Sequence, residues 1–109
     1  MADVVCIGLS HKTAPLPIRE RVALTDAEAG SLVRELAAAE WISEVVALST
    51  CNRTELYAAA ERGGEAAEWL TEVLATHTDI EAAELACVRY VHRDADAVAH
   101  LFRVASGLD

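Results

Sequence analysis

An uninterrupted apolar run at residues 4–9 constrains the fold of this chain more than any other segment. The run is rich in β-branched residues and shows no alternation of polar and apolar side chains, a pattern typical of a central strand that is buried on both faces. Pro15 and Pro17 follow it. Since proline has a fixed φ and no amide hydrogen, we expect residues 11 to about 18 to form an extended, semi-rigid segment across the surface.

Two segments have the pattern of amphipathic helices. The first begins at a capping box, in which Thr25 caps the helix and Glu28, three residues later, reaches back to it. Its expected packing face, at helical spacing, consists of Leu32, Val33, Leu36, Ala37 and Trp41. The second helix is indicated by the same spacing in Ala66, Trp69, Leu70, Val73, Leu74 and His77.

Three further segments have the composition of strands. Residues 45–49 lead into Cys51, and residues 54–60 are interpreted as the antiparallel partner, with Asn52 and Arg53 at the turn between them. Residues 87–93 are interpreted as the fourth strand of the chain. Cys51 is therefore expected on a hairpin at the edge of a sheet.

The order of these segments is βαββαβ, followed by a helix at residues 94–106. It predicts an α+β fold of the ferredoxin-like βαββαβ kind, with a four-stranded antiparallel sheet, helices on one face and a C-terminal helix. In that last helix Asp94 is the expected cap and His100 is expected to face solvent or a cleft. His100 lies opposite the apolar stripe that we expect to be buried, namely Val98, Leu101, Phe102 and Ala105.

Length and composition limit the class of protein. At 109 residues the chain is expected to form one domain, residues 1–109, with a single core. No segment approaches the ~20 apolar residues of a membrane span. The N-terminal apolar stretch is short and has no basic region ahead of it, so we expect no signal peptide, no membrane association and a cytoplasmic location.

The formal net charge of -9 opposes binding to a nucleic-acid backbone unless basic side chains cluster on one surface. The charge is uneven along the chain. Acidic residues concentrate at positions 61–84, where we interpret them as solvated helix faces, while the first 24 residues are close to neutral. An anionic substrate can approach that neutral region more easily.

The three cysteines, Cys6, Cys51 and Cys87, have no C-x-x-C spacing, which argues against a disulfide framework and a structural zinc site. Cys6 and Cys87 have aliphatic neighbours and are expected to be small buried side chains. Cys51 lies in the sequence STCNRTE with Arg53 two positions on, a setting that favours the thiolate. We interpret Cys51 as a nucleophile; the alternative is a cysteine that only ends a strand.

Four blocks of the sequence together closely resemble glutamyl-tRNA reductase, the enzyme that begins the five-carbon route to tetrapyrroles. The blocks are GLSHKTAP at 8–15, IRERV at 18–22, LSTCNRTELY at 48–57 and HLFRVASGLD at 100–109. The resemblance covers essentially the whole chain and corresponds to the N-terminal catalytic domain of that family. The fold implied by the resemblance is of the same βαββαβ kind.

The resemblance implies a site. The family cysteine, here Cys51, attacks the ester carbonyl that joins glutamate to its tRNA, and hydride from NADPH then reduces the thioester to glutamate 1-semialdehyde. Thr50, Asn52 and Arg53 match positions that hold the glutamyl group, and a guanidinium suits a substrate carboxylate. His100 matches a family histidine that is important for activity, and a neutral imidazole there can take the thiol proton or assist the departing ribose oxygen.

The resemblance also implies partners. Glutamyl-tRNA is the expected substrate, and the full-length parent is expected to be an NADPH-dependent homodimer that can hand its product to glutamate 1-semialdehyde aminomutase. The family pattern continues past Asp109, and the glycines of this chain lack G-x-G-x-x-G spacing. We therefore expect a fragment without the NADPH-binding and dimerisation domains, which binds no cofactor or metal and does not reduce substrate by itself.

Two other interpretations stay open at this point. The chain can be a catalytically incomplete docking or regulatory interaction module derived from that domain, which an exposed apolar patch would favour. A metal site formed by Cys51, His11 and His100 is less favoured because no pair has the spacing of a preformed site. We interpret His77 as the end of a helix stripe and His92 as a strand-end residue, both without a role.

Overall fold

A computed structural model describes residues 3–61 and 63–109 of the chain; residues 1, 2 and 62 lie outside the described part. Strands and helices follow one another in the order β1 (Asp3–Ser10), α1 (Leu16–Val22), α2 (Asp26–Ala37), β2 (Ile42–Ser49), β3 (Arg53–Ala60), α3 (Gly63–Thr78), α4 (Ala82–Val88), β4 (Tyr90–Arg93) and α5 (Asp94–Ala105). The predicted βαββαβ order is present, with α1 and α4 as additional short helices.

The four strands form one sheet in the order β2-β3-β1-β4, and all neighbouring strands are antiparallel. β1 is central, with Ser10 opposite Arg53 of β3 and Gly8 opposite Tyr90 of β4. This topology confirms the predicted α+β fold with a ferredoxin-like antiparallel sheet.

The central strand β1 is covered on both faces, as its apolar run predicted. Val5, Ile7 and Leu9 pack into the main core, which includes residues of α2 and α3. Cys6 points to the opposite face, where it packs with Tyr57 of β3 and Ala97 of α5. The C-terminal helix therefore covers part of the face that α2 and α3 leave free, because alternate residues of a strand point to opposite sides.

The capping box at the start of α2 is confirmed. The backbone amide of Glu28 donates to Thr25 Oγ1 at 3.1 Å, and the amide of Thr25 donates to Glu28 Oε1 at 2.9 Å. Leu32 and Leu36 are buried as expected, whereas Ala37 is exposed. Trp41 lies beyond the end of the helix and packs edge-on against Trp69, with 4.8 Å between ring centroids.

The extended segment predicted for residues 11–18 is wrong in its second half. α1 begins at Leu16, with Pro15 at its N-cap position and Pro17 in its first turn. Proline is tolerated there because the first amide groups of a helix have no partner within the helix. The helix is fixed further by Arg19 Nε, which donates to the carbonyl oxygen of Ala14 at 3.1 Å.

The prediction of a strand at residues 87–93 is also wrong in part. α4 continues to Val88 and β4 begins only at Tyr90. Leu85 is the buried residue of α4, and Cys87, which was expected to be buried, is exposed. A short apolar run does not distinguish a helical turn from a strand by its periodicity, which explains the error.

The last helix buries the side opposite to the predicted one. Ala97 and His100 are buried, whereas Val98 and Leu101 are each 43% exposed and Phe102 is 67% exposed; Ala105 is exposed as well. Asp94 is not the cap, since Arg93 takes the N-cap position and Asp94 Oδ1 accepts a hydrogen bond from the amide of Val4 at 3.1 Å. Within the described ranges, no helix combines the length and hydropathy that crossing a membrane requires.

Candidate active site

A buried carboxylate, Glu55, lies at the centre of a polar cluster on the face of the sheet that α5 covers. The Glu55 side chain is 0% exposed, and Arg53, Glu55 and Tyr57 share this face because they alternate along β3. Gly8 of β1 lies opposite Glu55, and Tyr90 of β4 lies opposite Gly8. We define the Glu55 cluster as Arg53, Glu55, Tyr57, Tyr90, His100 and Asp109.

Four side chains contact the carboxylate of Glu55. Tyr57 donates its hydroxyl hydrogen to Oε1 at 2.9 Å, and Tyr90 donates its own to Oε2 at 2.5 Å. Oε2 also lies 2.5 Å from His100 Nε2 and 3.3 Å from Arg53 Nη1. A buried charge is costly unless it is paired and hydrogen-bonded, and these four contacts offset that cost. Nowhere in the described residues does a buried side-chain nitrogen or oxygen lack a partner.

The contact with Glu55 fixes which nitrogen of His100 carries hydrogen. An ionised carboxylate only accepts hydrogen bonds, so Nε2 of His100 is the protonated nitrogen. When the ring is neutral, its lone pair is on Nδ1, which lies 4.0 Å from Asp109 Oδ1. Nδ1 is therefore the atom of His100 that is free to accept a proton.

Arg53 is largely buried, at 7% exposure, and its guanidinium lies between two carboxylates. Nη2 donates to Asp109 Oδ2 at 2.8 Å, while Nη1 contacts Glu55 and donates to the Tyr90 hydroxyl at 3.2 Å. Burial lowers the pKa of Arg53, but the hydrogen bond to Asp109 and the nearby negative charges raise it more, and the net direction is upward. The same hydrogen bond lowers the pKa of Asp109. The guanidinium thus contacts two carboxylates of its own chain at the place where a substrate carboxylate was predicted.

Cys51 is exposed in the turn between β2 and β3, beside Thr50 and Asn52, which are exposed too. The amide of Thr50 donates to the carbonyl of Arg53 at 2.8 Å, and the amide of His11 donates to the carbonyl of Asn52 at 2.9 Å. The turn is therefore held against the C-terminal end of β1. The prediction that Arg53 belongs to the turn is wrong, because Arg53 is the first residue of β3.

The predicted site residues fall into two neighbouring groups. Arg53 and His100 come together on Glu55, and Thr50, Cys51 and Asn52 form the exposed turn that immediately precedes Arg53. In the part of the chain that the structure describes, no hydrogen bond or ion pair joins the Cys51 thiol to Arg53 or His100. The catalytic and substrate-binding roles of these five residues stay predictions.

A cavity of about 220 Å³ adjoins the Glu55 cluster. It is lined by Ser10, Lys12, Thr13, Tyr90, His92, His100, Arg103 and Asp109. His100 is only 3% exposed, but it borders this cavity. Of the two surroundings expected for His100, solvent is wrong and a cleft is correct. A larger cavity of about 770 Å³ is lined by residues of α1, α3, α4 and the segment before α4, and it shares none with the Glu55 cluster.

Three potential metal ligands, Cys6, Glu55 and His100, have ligand atoms within 4.8 Å of one another, and all three are buried. Burial, followed by the negative charge of Glu55, raises the pKa of the Cys6 thiol to about 12. A protonated thiol is a poor ligand, and Glu55 already accepts hydrogen bonds on both oxygens. The three side chains fit a hydrogen-bonded core better than a metal site. The set Cys51, His11 and His100 considered from the sequence is not brought together among the described residues.

Sequence reasoning missed Glu55, Tyr57, Tyr90 and Asp109 as members of the cluster. The available signal was the alternation of Arg53, Glu55 and Tyr57 along a strand whose other face is apolar after Thr54. Gly8 was also missed: a Cβ atom at this position would lie 2.8 Å from the ring and hydroxyl of Tyr90. The absence of a side chain there lets Tyr90 cross β1 and reach Glu55.

Comparison with known proteins gives a consistent result. The family model that matches residues 7–109 is that of the glutamyl-tRNAGlu reductase N-terminal domain. Glutamyl-tRNA reductase from Marinobacter nauticus is 48% identical over 106 residues, which is 97% of this chain and 24% of that protein. Glutamyl-tRNA reductase from Syntrophotalea carbinolica is 45% identical over 107 residues, which is 98% of this chain and 24% of that protein.

A solved structure supports the same relationship. Glutamyl-tRNA reductase from Methanopyrus kandleri superposes with a TM-score of 0.72 at 34% identity, over 99% of this chain and 23% of that chain. The chain thus spans about a quarter of the length of the relatives it matches. The matched residues include both the turn at Cys51 and the Glu55 cluster. On this basis the chain belongs to the family of glutamyl-tRNAGlu reductase N-terminal domains.

Proposed function

We propose that this chain is the part of an NADPH-dependent glutamyl-tRNA reductase that captures the glutamyl group of glutamyl-tRNA as a thioester on Cys51. The product after reduction is glutamate 1-semialdehyde, a precursor of tetrapyrroles such as heme. The observation that carries the proposal is the exposed Cys51 thiol in a turn that leads directly into the Arg53, Glu55 and His100 side chains. Family membership supports it independently.

The proposed step is an acyl transfer, which needs neither an oxidant nor a reductant. The sulfur of Cys51 forms a bond to the glutamyl carbonyl carbon, and the ester bond to the ribose oxygen of the tRNA breaks. Nδ1 of His100 takes the thiol proton and returns it to the ribose oxygen as that group departs. Glu55 supports this role, since its hold on Nε2 leaves the lone pair of the neutral ring on Nδ1.

Binding of the substrate carboxylate by Arg53 needs one further condition. The single positive charge of Arg53 already faces two carboxylates, Glu55 and Asp109, so a third would add further negative charge to the cluster. We propose that the glutamyl side chain displaces Asp109 from Nη2 of Arg53, with Thr50 and Asn52 binding the rest of the glutamyl group. Asp109 is the more exposed of the two carboxylates, at 22% against 0% for Glu55, which favours its displacement.

Reduction of the thioester belongs, in this proposal, to another part of the full-length parent. NADPH supplies a hydride when bound, but the glycines of this chain lack the G-x-G-x-x-G spacing of a dinucleotide-binding turn. The residues present do not fit the cofactor, and we derive no step through it. On the resemblance alone, we extend the proposal to a homodimeric cytoplasmic parent with separate NADPH-binding and dimerisation domains, and to glutamate 1-semialdehyde aminomutase as its possible partner.

The test is to incubate the chain with NADPH and with tRNA carrying radiolabelled glutamate, and to measure both the label bound to protein and any glutamate 1-semialdehyde released. We expect a thioester that is released by hydroxylamine, no semialdehyde, and complete loss of label in Cys51→Ser. Cys87→Ser is the matched control because Cys87 is the other exposed cysteine. Label that persists in Cys51→Ser, or that is lost in Cys87→Ser, contradicts the assignment, and semialdehyde formation contradicts the division between domains.

An interaction module is the second candidate, favoured by the exposed apolar side chains of α5 and β2. Val46 is 59% exposed, Phe102 is 67% exposed and Leu101 is 43% exposed. For this function we expect binding to a partner to survive Cys51→Ser and to be lost in Phe102→Asp. Isothermal titration of a candidate partner with both variants separates binding from chemistry.

A further inference from the structure

His92, interpreted from the sequence as a strand-end residue without a role, packs flat against His100. The two imidazole centroids are 4.4 Å apart and the ring planes differ by 29°. His92 belongs to β4 and lies opposite Cys6 of β1, so it is on the same face of the sheet as the Glu55 cluster. Tyr90 contacts both rings, with centroids 5.3 Å from His92 and 5.0 Å from His100.

The contact between Nε2 of His100 and Glu55 does not by itself fix the plane of the imidazole ring. The ring can still turn about its Cβ–Cγ bond, which moves both Nε2 relative to Glu55 and Nδ1 relative to Asp109. A ring that turns in this way loses part of its contact with Glu55 and with it the preference for hydrogen on Nε2. A flat neighbour limits this rotation, and the rotation decides where Nδ1 lies relative to Asp109 and the adjoining cavity. His92 supplies the flat contact on one side of the ring and Tyr90 an inclined contact on another.

We propose that His92 is a positioning residue, whose ring holds the imidazole of His100 in the plane that directs Nδ1 toward the cavity. This inference rests on the proposed function, because the step it serves is proton transfer at Nδ1 during thioester formation. Among the residues that the structure describes, the ring contacts of His92 are with Tyr90 and His100 and not with the turn at Cys51, so in this proposal it acts through His100.

The charges around His92 fit this role. The groups that face it are Cys6 from β1, Glu55 from β3, Tyr90 from β4, and Asp96, His100 and Arg103 from α5. Burial, then the neighbouring His100 and Arg103, lower the pKa of His92. A neutral His92 can stay stacked when His100 takes up a proton, whereas two charged rings at this distance would repel each other.

A tautomer measurement tests the positioning directly. Two-bond ¹H–¹⁵N correlation spectra of the chain at neutral pH report which nitrogen of each histidine carries hydrogen. We expect His100 to carry it on Nε2 in the wild type and in His92→Phe, which keeps a flat ring, and to show a mixture of both tautomers in His92→Val. His77→Gln is the matched control, since His77 is a half-buried histidine that contacts Glu35 at 3.3 Å instead of the cluster.

A rate measurement then connects the tautomer to the chemistry. We expect His92→Val to slow thioester formation about tenfold, in line with the loss of other groups that orient a reacting side chain, and His92→Phe and His77→Gln to stay within about twofold of wild type. Thermal unfolding is recorded for each variant, and His92→Gln replaces His92→Val if the latter does not fold.

The two measurements separate this inference from the proposed function. An unchanged His100 tautomer in His92→Val overturns the positioning role even if the wild type forms the thioester. A loss in His92→Phe as large as that in His92→Val also overturns it, because the proton of His92 and not its flat ring would then be needed. If the wild type forms no thioester, the proposed function fails, and the spectra still decide whether His92 positions His100.

Discussion

The two faces of the sheet differ in what they bury. The face toward α2 and α3 buries mainly aliphatic side chains of β1 and β3, among them Ile7 and Leu56, and Thr54 is a polar exception that donates to the carbonyl of Val22. The opposite face, under α5, buries a carboxylate, a guanidinium and an imidazole within one hydrogen-bonded cluster. Both faces are built from the same two strands, because successive residues of a strand alternate between them.

With the proposed function, this difference predicts that the chemistry depends on one face of the sheet and the stability on both. The apolar face gains stability from the removal of hydrophobic surface from water, which tolerates many sequences of similar volume. The polar face gains little net energy from its charges, but each buried group requires all its partners. Substitutions on the first face should therefore change stability alone, and substitutions on the second should change stability and reactivity together.

The largest expected effect comes from Glu55→Ala. This change leaves Arg53, His100 and two tyrosine hydroxyls facing a site without a carboxylate, and loss of one partner from a buried charge cluster costs about 3–5 kcal/mol. We also expect His100 to lose its preference for hydrogen on Nε2. Urea unfolding gives the first quantity and ¹⁵N spectra of the histidines the second. Glu55→Gln, which keeps the volume, should lose less; equal losses would show that space and not charge holds this face together.

Leu56→Ala is the corresponding change on the apolar face, one residue along the same strand. Leu56 is 0% exposed, and truncation of a buried leucine costs about 2–5 kcal/mol through lost transfer energy and a cavity. We expect the His100 tautomer and the alkylation rate of Cys51 to remain those of the wild type under folded conditions. A changed tautomer in this variant would break the proposed separation of the two faces.

A glycine pair tests the close approach on the polar face. In Gly8→Ala the new Cβ atom would lie 2.8 Å from the Tyr90 ring, and overpacking of this kind costs about 1–3 kcal/mol. Gly30→Ala in α2 is the matched control, because its Cβ meets only the flexible end of Arg34 at 3.4 Å and the helix should gain up to about 1 kcal/mol. Thermal unfolding of both variants measures the effects, and a Gly8→Ala chain as stable as wild type would contradict the need for Tyr90 to cross β1.

The sequence predicted the apolar face better than the polar one. The capping box of α2 and the apolar run of β1, with its β-branched residues and the prolines that follow it, are local patterns, and both predictions are confirmed. The buried side of α5 was predicted wrongly because a helical wheel assigns burial by hydrophobicity, whereas His100 is drawn inward by Glu55 from 45 residues earlier in the chain. Such pairing between distant residues has no period in the sequence.

The candidate site shows the same limit. Cys51 and its polar neighbours form a contiguous motif, so a reactive turn could be predicted from the sequence alone. Glu55, Tyr90 and Asp109 come from three separate segments and meet around Arg53, and Tyr90 reaches Glu55 across β1 because Gly8 leaves room there. The composition of a single segment does not indicate a contact of this kind, which forms between two strands because the strand between them has a glycine.

The smallest expected effect is an alkaline loss of stability that originates on the polar face. Cys6 keeps its proton more tightly in the folded chain, where burial and then Glu55 raise its pKa from 9.0 to about 12. Stability is therefore complete below about pH 9 and decreases as the pH rises toward 12, because the unfolded chain then binds fewer protons than the folded one. Tyr57 and Tyr90, whose pKa values are also raised chiefly by burial, add to this decrease above their ordinary range.

The free energy of unfolding between pH 8 and pH 10 measures this slope. We expect Cys6→Ala to reduce the slope near about pH 9, where an unfolded thiol titrates. The slopes of the variants are compared, and not their free energies of unfolding, because the truncation also lowers stability at every pH. Cys87→Ala is the matched control, since Cys87 is exposed on α4. An unchanged slope in Cys6→Ala would mean that only the tyrosines lower the stability at alkaline pH. The ionisation of Cys6 would then make no contribution.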